Sequence, residues 1–433
     1  MTGDRNFLFV LSPNAGILDS WLPVLDRLAR LPHVKIHAIL PRPRATLNLR
    51  RKDFMIRSSA ETFASVHFCT ADGRWNRARS LVHARRKLVL TNWGRRLLKN
   101  RVTGQPRGMQ DDPTLDHEAT RSYLEEAGMH RPTAMLCDIS EARKPYFSGL
   151  LQSVPQAKIH SVSQAVSLQE FGDSPSTPTR VPFSGQVQER IETQFLLSES
   201  EARHYSAQYG LSNSQISVSG IFRHDPQWIA QAFPRARTKG LQPGSYLFLA
   251  SRPTSPKYLP HSEKQRVIAM THEQARKNGL TLVVRRHPFE PSRRQFDQLL
   301  GKPGKKNNWL ETARHSMDVG FECAFAITLN SSVAIDMAAM GVPVIDPVDY
   351  RTLRDDSPTI RFDDRGRPIS SYSKSEIAIG ASDESSFSAA AGRLSKQGGR
   401  SVAHPSKAYR ALYADPTGGI QSAVQRILNA ARS

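Results

Sequence analysis

The hydrophobic positions of the chain alternate between short unbroken apolar runs and helical stripes. Near the N-terminus the apolar run "NFLFVLS" is followed by the loop residues "PNAG". The next segment, "ILDSWLPVLDRLARL", places Ile17, Trp21 and Leu25 on one helical face, and the apolar run "VKIHAIL" follows it. Strand, helix and strand in this order are typical of a parallel sheet. The pattern therefore predicts an α/β fold.

The same alternation continues to the end of the chain. "PTAMLCDIS" predicts a strand that ends at Asp138, and "YLFLAS", "TLVVRRH" and "FAITL" predict strands of a second sheet. Between them, residues 232–245 carry Pro, Gly and charge without apolar periodicity, which indicates a domain boundary. We therefore predict an N-terminal domain over 1–235, a C-terminal domain over 245–410 and a last helix within 411–433. Residues 365–404, rich in Ser and Gly, predict an irregular segment.

Polar and cationic side chains follow three strands of the predicted second sheet. Because the carboxyl ends of parallel strands lie at one edge, ligands bind there. Arginine can bind phosphate through two N–H groups, and serines before a helix lie beside its free backbone N–H groups. The pattern predicts a site for a phosphate or diphosphate, although each group alone is also typical of a solvated strand end or a helix cap. The groups are Ser251-Arg252, Arg285-Arg286-His287 and Asn330-Ser331-Ser332.

The net charge of the chain limits the classes of binding partner that the sequence favours. The formal net charge of +21 favours a polyanionic partner or an anionic membrane surface. We find no zinc finger, aromatic RNA-binding strand or helix-turn-helix pattern, so nucleic acid is not favoured. The sequence contains no run of 18 apolar residues, so we expect no transmembrane helix. The N-terminus lacks the features of a signal peptide, which favours a cytoplasmic protein. The three cysteines, Cys69, Cys137 and Cys323, are too far apart for metal-ligand spacing and are predicted to be buried thiols.

Residues 73–107 depart from the alternating pattern. Eleven arginines and lysines occur there without an acidic residue between them, interleaved with apolar residues that include Trp75 and Trp93. The spacing predicts one or two basic amphipathic helices. One interpretation is a solvated helical face. The other is a surface for an anionic acceptor or membrane headgroups, with the tryptophans in the headgroup layer.

Three stretches carry a resemblance to a known superfamily. "LVVRRHP", "AITLNSSVAIDMAAMGVPVI" and "LYADPTGGIQSAVQRIL" resemble the nucleotide-binding domain of GT-B type transferases, above all CDP-glycerol glycerophosphotransferases and bacterial capsule and Kdo transferases. In the first half, "FLLSESEARHYSAQYGLSNSQISVSGIFRHD" resembles the segment that closes the first domain of these enzymes. The likeness covers roughly residues 135–350 and the tail, and nonhydrolysing UDP-sugar 2-epimerases share much of the scaffold. It implies two Rossmann-like domains whose parallel sheets face each other across a cleft.

The resemblance also implies roles for individual residues. Arg285, Arg286 and His287 would contact the donor phosphates, and Ser331 and Ser332 would bind them through hydroxyl and backbone N–H groups. Asp336 would reach a ribose hydroxyl, and Arg223 would lie near the interdomain cleft. Glycerophosphotransferases carry a His-Gly pair where this chain has Gln164-Ala165, and this departure favours sugar transfer.

A sugar acceptor must lose a proton, so transfer requires a carboxylate or imidazole near its hydroxyl. The candidates are Asp138, Asp19 and His160, although either aspartate can instead cap a loop or helix. The acidic pairs Asp111-Asp112, Asp355-Asp356 and Asp363-Asp364 lie in polar loops and are predicted to be solvated, so we expect no metal and no cofactor. Cationic side chains would stabilise the leaving diphosphate.

These observations predict a glycosyltransferase. It would move a sugar from a nucleotide-activated donor to a surface or capsular polysaccharide, or to a lipid-linked acceptor, in the cytoplasm or peripherally at the inner face of the membrane. The alternatives are a CDP-glycerol-type glycerophosphotransferase, a nonhydrolysing UDP-sugar 2-epimerase-like enzyme, and a noncatalytic nucleic-acid- or membrane-binding protein. The basic segment counts against the epimerase, and the Arg-His and Ser-Ser loops count against the noncatalytic protein.

Overall fold

The chain forms two compact units. The computed structural model describes residues 5–11, 15–41, 61–69, 74–77, 115–129, 132–163, 183–233, 241–255, 258–287, 290, 293–353, 357, 360–396 and 405–431. The first unit comprises Met1–Ala165, Pro178–Trp228 and Ala414–Ser433, and the second is built on Ile229–Tyr413. Both contain a mainly parallel sheet with helices, so the predicted α/β class is confirmed.

The first unit has an eight-stranded sheet in the order β4-β3-β2-β1-β5-β6-β7-β8. All neighbouring strands are parallel except β3 and β4. The strands are β1 (Arg5–Val10), β2 (Val34–Leu40), β3 (Ser65–Cys69), β4 (Trp75–Arg77), β5 (Ala134–Asp138), β6 (Lys158–Val162), β7 (Ile191–Leu196) and β8 (Ile216–Val218).

Helices follow most of these strands. They are α1 (Ala15–Ala29), α2 (His117–Glu126), α3 (Pro145–Ser153), α4 (Gly185–Arg190), α5 (Glu199–Tyr209) and α6 (Pro226–Ala232). The predicted apolar face of α1 is buried, and the indole N–H of Trp21 donates to the carbonyl of Cys137 at 3.0 Å. The C-terminal helix, Gly419–Ala430, packs on α1 within the same unit.

The second unit has a six-stranded, all-parallel sheet in the order β11-β10-β9-β12-β13-β16, and β14 and β15 form a separate antiparallel pair. The strands are β9 (Tyr246–Ala250), β10 (Thr281–Arg285), β11 (Trp309–Glu311), β12 (Phe325–Thr328), β13 (Val344–Asp346), β14 (Ile360–Phe362), β15 (Pro368–Ser370) and β16 (Ile379–Gly380). The helices are α7 (His261–Lys277), α8 (Arg294–Leu300), α9 (Ser316–Gly320), α10 (Val333–Ala339), α11 (Ser371–Lys374), α12 (Glu384–Lys396) and α13 (Lys407–Leu412).

Two predictions about secondary structure are wrong where the structure describes the chain. Residues 365–396 are not irregular, because they contain β15, β16, α11 and α12. Within residues 73–107, the described stretch contains the strand β4 instead of a helix. Trp75 is buried, donates its indole N–H to Thr120 Oγ1 at 3.1 Å and stacks on Tyr123, so it cannot enter a headgroup layer. The remainder of the basic segment, 78–107, lies outside the described residues.

The predicted buried thiols are confirmed, since all three cysteines are free and buried. Among the helices that the structure describes, none is both long enough and apolar enough to span a membrane.

Candidate functional site

Three predicted strand ends lie side by side in the second sheet. Ala250, the last residue of β9, pairs with Arg285 at the end of β10 and with Thr328 at the end of β12. The chain runs outward from β9 to β10 and β11 on one side, and to β12 and β13 on the other. This reversal of strand order makes the edge beside β9 a topological switch point, where open α/β sheets bind ligands. The loops that begin at Ser251, Arg286 and Leu329 therefore share one edge.

Arg252 connects two of these loops. Its guanidinium donates to the backbone carbonyl of Asn330 and stacks over the ring of Tyr258, with 5.0 Å between the guanidinium carbon and the ring centroid. Burial lowers the pKa of Arg252, and the nearby phenols of Tyr372 and Tyr350 act in the opposite direction. The side chain is thus a cation fixed at the switch point.

Asn330 has a left-handed backbone, with φ of 51°, which asparagine tolerates better than most residues. Arg252 holds its carbonyl in this conformation. The side-chain Nδ2 of Asn330 and the Oγ1 of Thr328 are buried without a hydrogen-bond partner among the residues the structure describes. Both atoms therefore remain able to bond a ligand or water at the edge.

A buried carboxylate links the loops after β9 and β10. Glu290 accepts hydrogen bonds from Ser251 Oγ at 2.9 Å, from the backbone N–H of His287 at 2.6 Å and from Lys264 Nζ. Lys264 also donates to the carbonyl of Arg252 at 2.8 Å. Sequence reasoning missed Lys264 and Glu290. The one available signal was an acidic residue three positions after His287, at the end of the cationic stretch that follows β10.

The three basic residues after β10 have different surroundings. Arg286 donates through Nε to Glu311 Oε1 at 2.5 Å and through Nη1 to the carbonyl of Glu290 at 3.2 Å. Its charge is therefore partly neutralised by β11. Arg285 and His287 are partly exposed at the same edge, and the backbone of His287 is fixed by Glu290.

The two serines before α10 are not ordinary helix caps. Ser332 occupies the cap position with a helical backbone, and its side chain makes no capping hydrogen bond. Ser331 Oγ accepts from the backbone N–H of Val333 at a long 3.4 Å. Both residues are partly exposed, so their hydroxyls can donate to a ligand, whereas Asp336 is buried in the first turn of α10.

A second acidic residue lies close to Arg252. Asp346 ends β13 and accepts a hydrogen bond from the hydroxyl of Tyr350 at 2.7 Å. Burial raises the pKa of Asp346 to about 6, so its charge changes close to neutral pH. Its charge also acts on Arg252, which makes it part of the electrostatic environment of this edge.

In the first unit, Asp138 ends β5 and is fully buried. Its Oδ1 accepts from the backbone N–H of Ser140 at 2.5 Å, while Oδ2 has no hydrogen-bond partner within the described part of the chain. Burial raises the pKa of Asp138 to about 7, against the opposing effect of the hydrogen bonds from Ser140. A carboxyl group of this kind is suited to proton transfer near neutral pH.

The other two candidate bases have other contacts. Asp19 lies 3.8 Å from Arg223 in a buried ion pair, and Arg223 also donates to Ser20 Oγ at 3.3 Å. Arg223 and Asp19 both belong to the first unit, whereas the other candidate donor-binding residues belong to the second. His160 lies inside β6, fully buried with its ring stacked against Phe195, and burial lowers its pKa to about 3.

No protein-family model and no curated protein matches the chain. Solved structures do match over nearly its whole length. The UDP-GlcNAc 2-epimerase of Methanocaldococcus jannaschii is 11% identical, with a TM-score of 0.56 over 98% of this chain and 99% of that chain. The Staphylococcus aureus MnaA–UDP structure is 12% identical, with a TM-score of 0.53 over 98% and 97%. The UDP-N-acetylglucosamine 2-epimerase of Rickettsia bellii is 11% identical, with a TM-score of 0.52 over 99% and 96%.

At this identity the likeness shows the fold alone. The predicted architecture of two Rossmann-like units, the GT-B type, is confirmed. The finer resemblance to CDP-glycerol glycerophosphotransferases stays a prediction.

Proposed function

We propose that the protein is an enzyme that binds a nucleoside diphosphate sugar at the carboxyl edge of the second sheet and transfers its sugar to an acceptor. The observation that supports the proposal is the alignment of three strand ends at the switch point. The loops that follow carry Arg252, His287 and Ser332. Glu290 links the first two of these loops, and Arg252 donates to the carbonyl of Asn330 in the third. A diphosphate needs such a group of fixed donors and cations.

In the proposed reaction, the acceptor oxygen forms a bond to the anomeric carbon while the bond from that carbon to the diphosphate breaks. Negative charge develops on the leaving diphosphate. Arg252, His287 and the hydroxyl of Ser332 would stabilise that charge, because cations and a hydroxyl donor follow adjacent strand ends at this edge. We propose Asp138 as the base that takes the proton of the acceptor hydroxyl, since one of its oxygens is not engaged by a described residue and its pKa is about 7.

The proposed acceptor is a surface or capsular polysaccharide or its lipid-linked precursor. Its support is electrostatic: the net charge of +21 and the run of basic residues within 73–107 would attract an anionic polymer or membrane surface. Glycerophosphate transfer is less well supported, because Gln164-Ala165 stands where glycerophosphotransferases carry His-Gly.

The second candidate is a 2-epimerase that acts on a free UDP-sugar. Its support is that the similar solved structures over nearly the whole chain include UDP-GlcNAc 2-epimerases, one of them in complex with UDP-GlcNAc and UDP. Incubation with UDP-GlcNAc alone separates the two candidates. An epimerase changes the proton spectrum of the sugar without an acceptor, whereas a transferase leaves the nucleotide sugar intact until an acceptor is added.

The test of the nucleotide site starts with thermal unfolding in the presence of CMP, CDP, UDP, GDP and their sugars. A ligand that binds only the native state raises the unfolding temperature. The best nucleotide is then titrated calorimetrically into His287→Ala and Ser332→Ala. Each loses hydrogen bonds to a charged group, so we expect a loss of about 1.5–3 kcal/mol in binding free energy.

Ser385→Ala is the matched control for this titration, because Ser385 is exposed on α12 of the same unit. Its affinity should equal that of the unaltered protein. Unchanged affinity in both His287→Ala and Ser332→Ala would show that the nucleotide does not bind at this edge.

A further inference from the structure

Arg143 has an unusual environment in the first unit. It ends the short turn Glu141–Arg143, which follows the carboxyl end of β5 and leads into α3. Its guanidinium carbon lies 4.7 Å from the ring centroid of Tyr209 and 5.1 Å from that of Phe183. The two rings are themselves in contact, with centroids 5.0 Å apart. They form an aromatic floor that fixes the orientation of the guanidinium through cation–π contacts.

One edge of this guanidinium is buried and unused. The Nε and Nη2 atoms of Arg143 have no hydrogen-bond partner among the described residues. Their N–H groups point the same way, at the spacing that binds both oxygens of a carboxylate or phosphate. Leaving buried donors unpaired costs about 1–3 kcal/mol, and more for charged groups. These two donors are therefore candidates for hydrogen bonds to a ligand.

Arg190, in the same unit, is an example of an arginine with a structural role. Its guanidinium donates to the carbonyls of Leu151, Val154 and Ala157, so its donors are occupied by backbone. Arg143 has no equivalent set of carbonyls in the part of the chain that the structure describes. Within the described residues, Arg143 therefore lacks the backbone partners that Arg190 has.

The charge of Arg143 acts on the proposed base, Asp138. Asp138 precedes Arg143 by five residues on the same loop, and its Oδ2 also lacks a partner within the described ranges. Burial raises the pKa of Asp138, and the hydrogen bonds from Ser140 and, to a smaller extent, the positive charge of Arg143 lower it. The loop therefore presents one cationic edge and one carboxylate oxygen at the carboxyl end of β5.

We propose that the Nε–Nη2 edge of Arg143 binds an oxyanion, the carboxylate or phosphate of an anionic acceptor. The inference rests on the proposed function and deepens it, because it specifies the charge of the molecule that receives the sugar. An anion is favoured over water since it neutralises a buried cation as well as accepting two hydrogen bonds. The strongly positive chain would also concentrate such an acceptor near its surface.

The direct test observes Arg143 itself. Its side-chain Nε–Hε signal is identified in a nitrogen–proton NMR spectrum as the one that disappears in Arg143→Lys. Glucuronate and glycerol 1-phosphate are then titrated separately, with glucose as the uncharged control. We expect a saturable shift of this signal with at least one anion and none with glucose. Glucuronate as the active probe identifies a carboxylate acceptor, and glycerol 1-phosphate identifies a phosphate. No shift with either anion overturns the proposal.

Calorimetry gives the second measurement. Arg143→Lys keeps the charge but loses the paired donors, so the affinity for the active probe should fall at least about tenfold. Arg203→Lys is the control, because Arg203 is exposed on α5, the helix that carries Tyr209. Equal affinity in Arg143→Lys and Arg203→Lys contradicts the proposal.

A pH profile tests whether the charge of Arg143 acts on the proposed base. Removing the charge in Arg143→Met raises the pKa of Asp138, so the acidic limb of turnover should move to higher pH. An unmoved limb counts against the placement of Arg143 beside the base. Nucleotide affinity in Arg143→Lys should be unchanged. If His287→Ala and Ser332→Ala leave nucleotide binding intact, the proposed function fails, whereas the NMR shift of Arg143 alone decides the anion site.

Discussion

Replacement of Glu290 by Gln should be the most damaging isosteric change at the proposed nucleotide edge. The carboxylate accepts hydrogen bonds from Ser251, His287 and Lys264, and both Glu290 and Lys264 are buried. In Glu290→Gln the amide oxygen can still face Ser251 and Lys264. The amide N–H₂ group then faces the backbone N–H of His287, where the wild-type distance is 2.6 Å, and two donors cannot bond each other.

The expected magnitude follows from burial. Lys264 retains 2% of its side-chain exposure and Glu290 6%, so removing the negative partner leaves an uncompensated cation in the interior. Breaking a buried ion pair in this way costs about 3–5 kcal/mol. The exposed pair of Lys374 and Asp364 in the same unit provides the comparison, and Asp364→Asn should cost less than about 1 kcal/mol.

The assay is urea unfolding of the full chain, followed by tryptophan fluorescence and far-ultraviolet circular dichroism. Two units can unfold separately, so the curves are fitted with two transitions. The double variant Lys264→Met/Glu290→Gln should recover much of the lost stability, because the methionine can pack against Phe296, which the lysine now contacts. A Glu290→Gln loss as small as that of Asp364→Asn would refute the reasoning.

Three further predictions concern the remaining groups. Asp138→Asn should keep donor binding and lose about 10²–10⁴ in turnover. The fall of turnover on the acidic side of pH 7, which the raised pKa of Asp138 predicts, should disappear. Full turnover in this variant would assign the role of the base to Asp19 or His160. Burial lowers the pKa values of His37 and His67 to about 4, so these residues should make stability fall between about pH 6.5 and pH 4, where only the unfolded chain binds their protons. The raised pKa of Asp138 has the opposite effect on stability. The measurement is therefore the pH dependence of the unfolding free energy, compared between the unaltered protein and a variant with both histidines changed to Gln. Identical slopes would contradict the prediction. The basic segment should make the protein sediment with vesicles of anionic lipid in a salt-sensitive way, with roughly 1 kcal/mol of binding free energy per engaged basic residue. The control variant changes Arg85, Arg86, Arg95 and Arg96 to Gln. Equal pelleting by the variant would mean that this stretch is a solvated face.

Much of the fold was predictable because burial has a local period. Strands buried on both faces of a parallel sheet are continuous apolar runs, and the helices between them carry one apolar face. β1, β5, β9, β10 and β12 all follow this rule. The rule was not applied to α12, whose 13 residues carry a buried apolar face. It failed at the rest of residues 365–396, where β15, β16 and α11 are each only two to four residues long. Elements of that length contain too few residues to establish a period.

The shared edge of the three strand ends was also predictable from the chain alone. The polar side chains lie next to recognisable elements in the sequence: Arg285-Arg286-His287 stand at the end of a strand, and Ser331-Ser332 directly precede a helix. Parallel strands place such ends at the same edge, and the aligned register of Ala250 with Arg285 and Thr328 satisfies that expectation.

Only the tertiary structure decided which charges neutralise each other. Lys264 and Glu290 are 26 residues apart, and Arg286 and Glu311 are 25 apart, so no local pattern connects them. The tertiary structure alone also shows that the guanidinium of Arg143 lies over Tyr209 while one of its edges lacks a described partner. A side chain's partner depends on which elements the folded chain brings together, whereas its sequence neighbours determine only the face on which it lies.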